Sequence, residues 1–305
     1  MSESKSIFSI ELPTGGEVQL TRHRFGLKRA PRVSIVAGIR GDAPEGMRIA
    51  FSMLQRLVEL EDVLQGQVDI YPCVNPLAAE QGERLWPFFG VDLNRLFPGR
   101  ENGHPPERVA HALIEDLQGS DYVFELRGAR PSFQESTQAL VRSDDAAELA
   151  LHANVRLVWK RTPGPAAPKT FAYQFPNTIV LEGGVGNQLT STVGKELSDG
   201  ILNVLAQLNI LPEEKLPFSW ASMERPVLVS DEDVFRIRVG RSGFFLPEAS
   251  LGQEVEKGER IGRVIAPDSG AVREEIFSPV SGVIMAMRVQ PVVSLGIMVA
   301  RILLN

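Results

Sequence analysis

The chain has 305 residues, 43% hydrophobic and 23% charged, the composition of an ordinary soluble globular protein with room for two domains, or for one large α/β domain and an appendage. A formal net charge of −6 argues against a nucleic-acid surface, no apolar run approaches a membrane span, and residues 1–9 lack the basic-then-apolar form of a signal peptide. Cys73 is the single cysteine, which excludes an internal disulfide and a multi-cysteine metal centre and makes the cytoplasm the expected compartment.

Residues 6–11 and 17–25 predict two short strands around the turn Pro13-Thr14-Gly15-Gly16. Val33-Ser34-Ile35-Val36-Ala37 is rich in β-branched residues and predicts a buried strand. Gly38 and Gly41 then allow a tight turn that backbone and ligand can approach closely, and Pro44 suits the first turn of a helix. That helix follows to about Leu60, with Met47, Ala50, Phe51, Leu54, Leu57 and Val58 at three- and four-residue intervals. Residues 40–43 therefore lie at the carboxyl edge of a sheet, where open α/β folds bind ligands.

Residues 68–74 predict a second strand, stopped by Asn75-Pro76. A loop then runs to Gly103, too long to be idle, and carries Arg84 and Asp92-Leu93-Asn94-Arg95-Leu96-Phe97-Pro98-Gly99. Residues 106–117 are amphipathic, with Val109, Ala110, Leu113, Ile114 and Leu117 on one side. Residues 122–126 predict a central strand followed by Arg127-Gly128, residues 139–141 another, and Asp144-Asp145 the start of a short helix. After a strand at 155–160 comes the irregular Thr162-Pro163-Gly164-Pro165, and a strand at 177–182 delivers Glu182 into Gly183-Gly184-Val185-Gly186. Residues 192–208 give the longest helix signal. Strands alternating with helices predict an α/β fold with a mixed, mainly parallel central sheet and flanking helices over residues 1–225. Residues 226–305 show no helix pattern, only short strands punctuated by glycines, which predicts a small all-β barrel or sandwich module.

The turn Gly38-Ile39-Arg40-Gly41-Asp42-Ala43 resembles the first metal motif of the succinylglutamate desuccinylase/aspartoacylase family, a branch of the zinc carboxypeptidase-like enzymes. There the motif reads Gly-x-His-Gly-Asp-Glu, and its His and Glu bind zinc; here those positions hold Arg40 and Ala43. Asp92-Leu93-Asn94-Arg95-x-Phe97-Pro98-Gly99 is a specific second match, supported by Asn75-Pro76 upstream. Tyr122-Val123-Phe124-Glu125-Leu126-Arg127 matches the strand that ends Asp-Leu-His, so the third zinc ligand is replaced by Arg127. Residues 251–258 and 276–283 resemble the biotinyl/lipoyl-type β module that closes the same family. Arg288 beside Ala286-Met287 leaves no evident carrier lysine, which points to a structural or gating module.

The resemblance covers nearly the whole chain and implies roles for particular residues. It makes Asn94 and Arg95 the holders of a carboxylate, suited to that by an amide donor beside a planar guanidinium; the plainer reading pairs Arg95 with Asp92. It makes Arg84 the group that steadies an oxyanion, against the plainer reading of a solvated loop arginine; Phe89 stands where the family has an aspartate before its glycine. Glu182 would activate a zinc-bound water, or without metal would pair with an arginine. Arginine offers no lone pair and alanine no donor, so all three ligand positions, Arg40, Ala43 and Arg127, have lost the ability to bind zinc. Two arginines there would bring a charge of +2 to the cleft.

Other donors give little. His23, His104, His111 and His152 have no partner at ligand spacing, although His104 sits on the long loop. Asp42, Glu45 and Glu125 would bind a hard cation only against the nearby arginines. Trp86, Phe88 and Phe89 either wall a pocket or pack beneath the loop, and Ser132, Ser136 and Cys73 lack a histidine partner for nucleophilic chemistry.

The expectation is a metal-free, non-catalytic relative of these enzymes without a cofactor, its arginine-rich cleft taking a small carboxylate, a phosphate or an acidic partner segment. An active paralogous enzyme or a second copy of the chain is the expected protein partner, with no nucleic acid and no membrane. The alternative is a hydrolase of N-acyl amino acids or related amides, with zinc on unconventional ligands, Glu182 as base and Arg84 as oxyanion donor. A purely structural subunit with an empty cleft is the third class.

Overall fold

The front of the sequence builds a sheet outward from a buried parallel centre. In the computed structural model, which describes residues 3–13, 15–216 and 225–304, β1 (Glu3–Glu11) and β2 (Glu17–Gly26) form a hairpin in which the Leu12 N–H donates to the Gly16 carbonyl at 3.0 Å. Next come β3 (Arg32–Ala37), α1 (Pro44–Leu60), β4 (Gln67–Tyr71), α2 (Pro76–Gln81), α3 (Pro105–Leu117), β5 (Tyr122–Leu126) and β6 (Phe133–Val141). They are followed by α4 (Asp144–Ala150), β7 (Leu157–Lys160), β8 (Thr178–Val185) and α5 (Ser191–Gln207). The C-terminal part is all strand: β9 (Val227–Val229), β10 (Val234–Arg238), β11 (Gly243–Pro247), β12 (Glu254–Val255) and β13 (Arg260–Ile265), then β14 (Val272–Phe277), β15 (Gly282–Arg288), β16 (Val292–Val293) and β17 (Met298–Leu304).

The large sheet runs β1-β2-β4-β3-β5-β8-β6-β15-β17-β10, with β7 on β6, β9 on β7 and β12 on β15. Its centre, β4-β3-β5-β8, is parallel, and these strands are buried almost throughout, as a sheet covered on both faces requires. Ile49, Met53 and Leu57 of α1 and Leu197, Ile201 and Leu205 of α5 cover one face. Val109, Leu113 and Leu117 of α3, with Trp86, Phe97 and Phe171, cover the other. On either side of this centre the pairings β1-β2, β2-β4, β8-β6 and β6-β15 are antiparallel, while β7 and β9 add parallel pairs beside β6, so the sheet is mixed. A separate sheet, β14-β13-β11-β16, packs Ile261 and Val264 against Ile284 and Ile302 of the large sheet's β15 and β17. The large sheet continues past residue 225, because β15 pairs with β6 through Ala286 and Glu135. No helix of the described residues is long and apolar enough to cross a membrane.

Several predicted boundaries move for physical reasons. Asn75-Pro76 does not merely stop the preceding strand, which ends at Tyr71; it starts α2, with the Asn75 side chain accepting from the Ala78 N–H at 3.2 Å and Pro76 in the first turn. The long loop contains this helix and a 3₁₀ turn at Leu93–Arg95. β6 starts at Phe133, well before the predicted residue 139, because buried polar residues Glu135, Thr137 and Gln138 hide its pattern. Glu182 is not at a strand end: β8 continues through Gly183, where a Cβ would come within 2.9 Å of the Thr137 Cα on β6. The opening turn behaves as expected, with Pro44 in the first turn of α1, and a Cβ on Gly41 would lie 2.1 Å from the Ala78 carbonyl carbon. Position 14 of the first predicted turn lies outside the described residues.

Candidate functional site

Parallel neighbours deliver the ends of β3 and β5 to one edge of the sheet, where the 38–43 turn and Arg127 meet the long loop. There a cavity of about 460 Å³ opens, lined by Arg40, Arg84, Asn94, Arg95, Arg127 and Glu182, and also by Arg130, Arg142 and Arg161. All the sequence-predicted site residues except Ala43 thus face one space; Ala43 is buried beside it as the cap of α1.

Most of these arginines are already held. Arg40 donates through Nε and Nη2 to the two oxygens of Asp42 at 2.9 and 3.0 Å. Arg127 does the same to Glu125, with both bonds at 2.6 Å. Burial works against the charge on Arg127, but the Glu125 carboxylate beside it more than compensates and raises its pKa. The charge of +2 expected from positions 40 and 127 is therefore cancelled locally by Asp42 and Glu125. The same pairing removes those two carboxylates as cation ligands.

Arg84 donates twice to Asp92 Oδ2, at 2.9 and 2.7 Å, while Asp92 Oδ1 accepts from the Asn94 N–H. Asp92 is thus claimed by Arg84, and Arg95 reaches it only at 4.0 Å with its side chain half exposed. The plainer reading of Arg95 as Asp92's partner gives way, because the shorter approach belongs to Arg84. Asn94 turns its side-chain oxygen to the Phe171 N–H at 2.8 Å, which ties the segment after β7 to the long loop.

Glu182 is 6% exposed and accepts from Gln138 Nε2 at 2.7 Å. Its expected direct arginine partner does not form among the described residues, because Arg127 and Arg130 are committed to Glu125 and Glu135. Burial pushes the Glu182 carboxyl above its ordinary range, and the nearby Glu135 adds to the shift. Glu135 accepts Arg130 Nε at 2.9 Å and, from β17, Arg301 Nη2 at 2.6 Å. Burial lowers the Arg301 pKa to about 10, which still leaves it charged at neutral pH. Through Arg301 the C-terminal strands brace the cavity wall from behind, and no described residue past 182 lines the cavity.

Sequence reasoning missed Arg130, Arg142, Arg161 and the bracing pair Glu135–Arg301. One signal was available: Arg127, Arg142 and Arg161 each directly follow a strand, and a charge in that position is placed at a sheet edge. Arg161 pairs with Asp231 at 3.1 Å and stacks over Trp159. Trp86 is core, Phe88 is 89% exposed and Phe89 rests against His104, so none of these aromatics walls the cavity. No histidine lines it either.

The side chains at positions 40, 43 and 127 do not fit zinc: two protonated guanidiniums, each paired with a carboxylate, and a methyl group. Among the described residues no three His, Cys, Asp or Glu side chains gather as a metal site.

The model of the succinylglutamate desuccinylase/aspartoacylase catalytic domain matches residues 29–208. An N-alpha-acetyl-L-2,4-diaminobutyric acid deacetylase from Halomonas elongata is 37% identical over 97 residues, a stretch covering 32% of this chain and only 28% of the deacetylase. The crystal structure of a succinylglutamate desuccinylase/aspartoacylase from Rhodobacter sphaeroides shares the fold with a TM-score of 0.84 at 22% identity, over 100% of this chain and 96% of that one. The product-bound ectoine utilization protein EutE from Ruegeria pomeroyi does so with a TM-score of 0.83 at 18% identity, over 100% and 95%.

Proposed function

The chain belongs to the succinylglutamate desuccinylase/aspartoacylase family, and within it we propose a metal-free, non-catalytic member whose arginine-rich cleft binds a small anionic ligand or the acidic segment of a partner. The observation that carries this reading is the chemistry at positions 40, 43 and 127. The guanidiniums of Arg40 and Arg127 are turned away from any ligand role and locked onto Asp42 and Glu125. Pairs of this kind cancel charge within the wall while offering no lone pair to a cation.

Anion binding rests on what remains after that pairing. Of the seven arginines lining the cavity, Arg40, Arg84, Arg127, Arg130 and Arg161 are each held by a carboxylate within 3.1 Å, Arg130 sharing Glu135 with Arg301 and Arg161 sharing Asp231 with Arg236. Arg95 reaches only the carboxylate that Arg84 already holds, at 4.0 Å, and Arg142 pairs with none among the described residues, so these two keep guanidinium N–H groups available to an anion. A guanidinium with free N–H groups is the preferred partner of carboxylate or phosphate.

A second reading, hydrolysis of an N-acyl amino acid or related amide, draws support from Glu182. Its carboxyl faces the cavity, is oriented by Gln138 and has a raised pKa, as a general base needs. The discriminating experiment is a turnover assay with N-acetylated and N-succinylated amino acids, with and without added zinc. The non-catalytic reading expects rates equal in wild type and Glu182→Gln; zinc-dependent turnover that vanishes in Glu182→Gln would replace it with the second.

A further inference from the structure

Resting on the anion-binding reading of the cleft, we infer that its ligand is elongated, with an anionic group at each end and an apolar middle, and that Arg142 with Tyr173 forms the second anionic subsite. The cavity runs along one face of β8. Thr178, Val180 and Glu182 all line it, and alternate residues of a strand share a face. At about 3.3 Å per residue, Thr178 and Glu182 lie roughly 13 Å apart.

The two ends differ in what they hold. Arg127 stands at the Glu182 end, its N–H donating to the Leu181 carbonyl at 2.8 Å, and the nearby carboxylates of Glu182 and of Asp92, from the Arg84–Asp92–Arg95 group, help to keep it charged. Arg142 stands at the other end: it follows Val141 on β6, whose Leu140 pairs with Val180 and whose Gln138 pairs with Glu182. Leu140 and Val180 therefore occupy the middle of the cavity, with Ala167 and Ala172 also lining it. A polar body would lose its hydration against that wall without gaining partners.

Arg142 is built as a receptor. Its guanidinium lies 4.3 Å over the Tyr173 ring, and Nη2 donates to the Phe175 carbonyl at 2.8 Å. Among the described residues it has no carboxylate partner, and its buried Nε has no hydrogen-bond acceptor. Burial lowers its pKa, as expected of a cation lacking a counter-charge. Ring and carbonyl fix the plane of the guanidinium while leaving donors free, the arrangement that favours carboxylate or phosphate. The Phe171–Tyr173 turn connects the two ends, since Asn94 holds its first residue and Arg142 its last.

The test is calorimetric titration of the full chain at matched ionic strength. The probes are α,ω-dicarboxylates from glutarate to sebacate, each against the monocarboxylate of equal length. The expected result is one length at which the dicarboxylate binds roughly tenfold tighter than its monocarboxylate, the worth of one charge-assisted hydrogen-bonded contact. Arg142→Gln should erase that gain, bringing the dicarboxylate's affinity to that of its monocarboxylate, whereas Arg95→Gln should weaken both. If Arg142→Gln does not fold, Tyr173→Leu removes the ring beneath the guanidinium and serves instead. Equal binding of both series, still dependent on Arg95, overturns the second subsite and leaves the anion-binding cleft standing. Absence of binding by every probe overturns both.

Discussion

Arg127 and Glu125, two residues apart at the end of β5, clasp each other through two hydrogen bonds of 2.6 Å, and Glu125 is almost fully buried. Side chains at that spacing share one face of a strand, so the pair forms within a single local segment. Removing one partner leaves the other charge buried without compensation. Glu125→Gln should therefore lower unfolding stability by about 3 kcal/mol, while Glu125→Gln with Arg127→Met should regain most of the loss. Chemical denaturation of wild type and the two variants with a common slope checks this.

Glu182 predicts a pH dependence. Its carboxyl has a higher pKa folded than unfolded, so the native state binds more protons and stability falls as pH rises from the unfolded value of about 4.5 through the raised one. Glu182→Gln removes that cost. The variant should melt above wild type at neutral pH, and the difference should close near and below pH 4.5. Melting temperatures across pH 4 to 8 provide the comparison; a variant less stable than wild type at pH 7 would contradict it.

Arg84 and Arg95 should affect anion binding by different routes. Arg95→Gln changes a half-exposed side chain, so stability should stay within about 0.5 kcal/mol while affinity for inorganic phosphate falls. Arg84→Gln frees Asp92 to pair with Arg95, now 4.0 Å away, and should lower the same affinity indirectly. Adding Asp92→Asn to Arg84→Gln should restore it. Calorimetry with phosphate separates the two effects.

Gly41 is constrained by a close backbone approach. A Cβ there would sit 2.1 Å from the Ala78 carbonyl carbon at the start of α2. Gly41→Ala should cost about 2 kcal/mol or more by forcing α2 away from the turn, read out by thermal unfolding.

The legible part of this molecule was what repeats or is punctuated locally. The strand–turn–helix around residues 33–60 appeared as read, from β-branched spacing, the glycine turn and Pro44. The motif residues Arg40, Arg84, Asn94, Arg95, Arg127 and Glu182 line one cavity, five of them from the turns and loop that follow strands, while Glu182 does so from within β8. Pairing was not legible, because it is decided by distances between segments far apart in sequence. Whether Asp92 takes Arg84 or Arg95 is settled by the fold of the loop. Arg301 and Glu135 are joined across 166 positions. Gln138, which fixes Glu182, sits in a strand whose buried polar residues mask its pattern. The charge of the cleft therefore could not be obtained by summing motif residues.

The central claim is that positions 40, 43 and 127 cannot hold zinc. Its most direct test is elemental analysis of protein purified without chelators, saturated with zinc and desalted. The expected result is a zinc content far below one ion per chain in wild type, rising on replacement by Arg40→His, Ala43→Glu and Arg127→His. Stoichiometric zinc in the wild-type chain, lost on mutating residues 40–43 or 127, would contradict it.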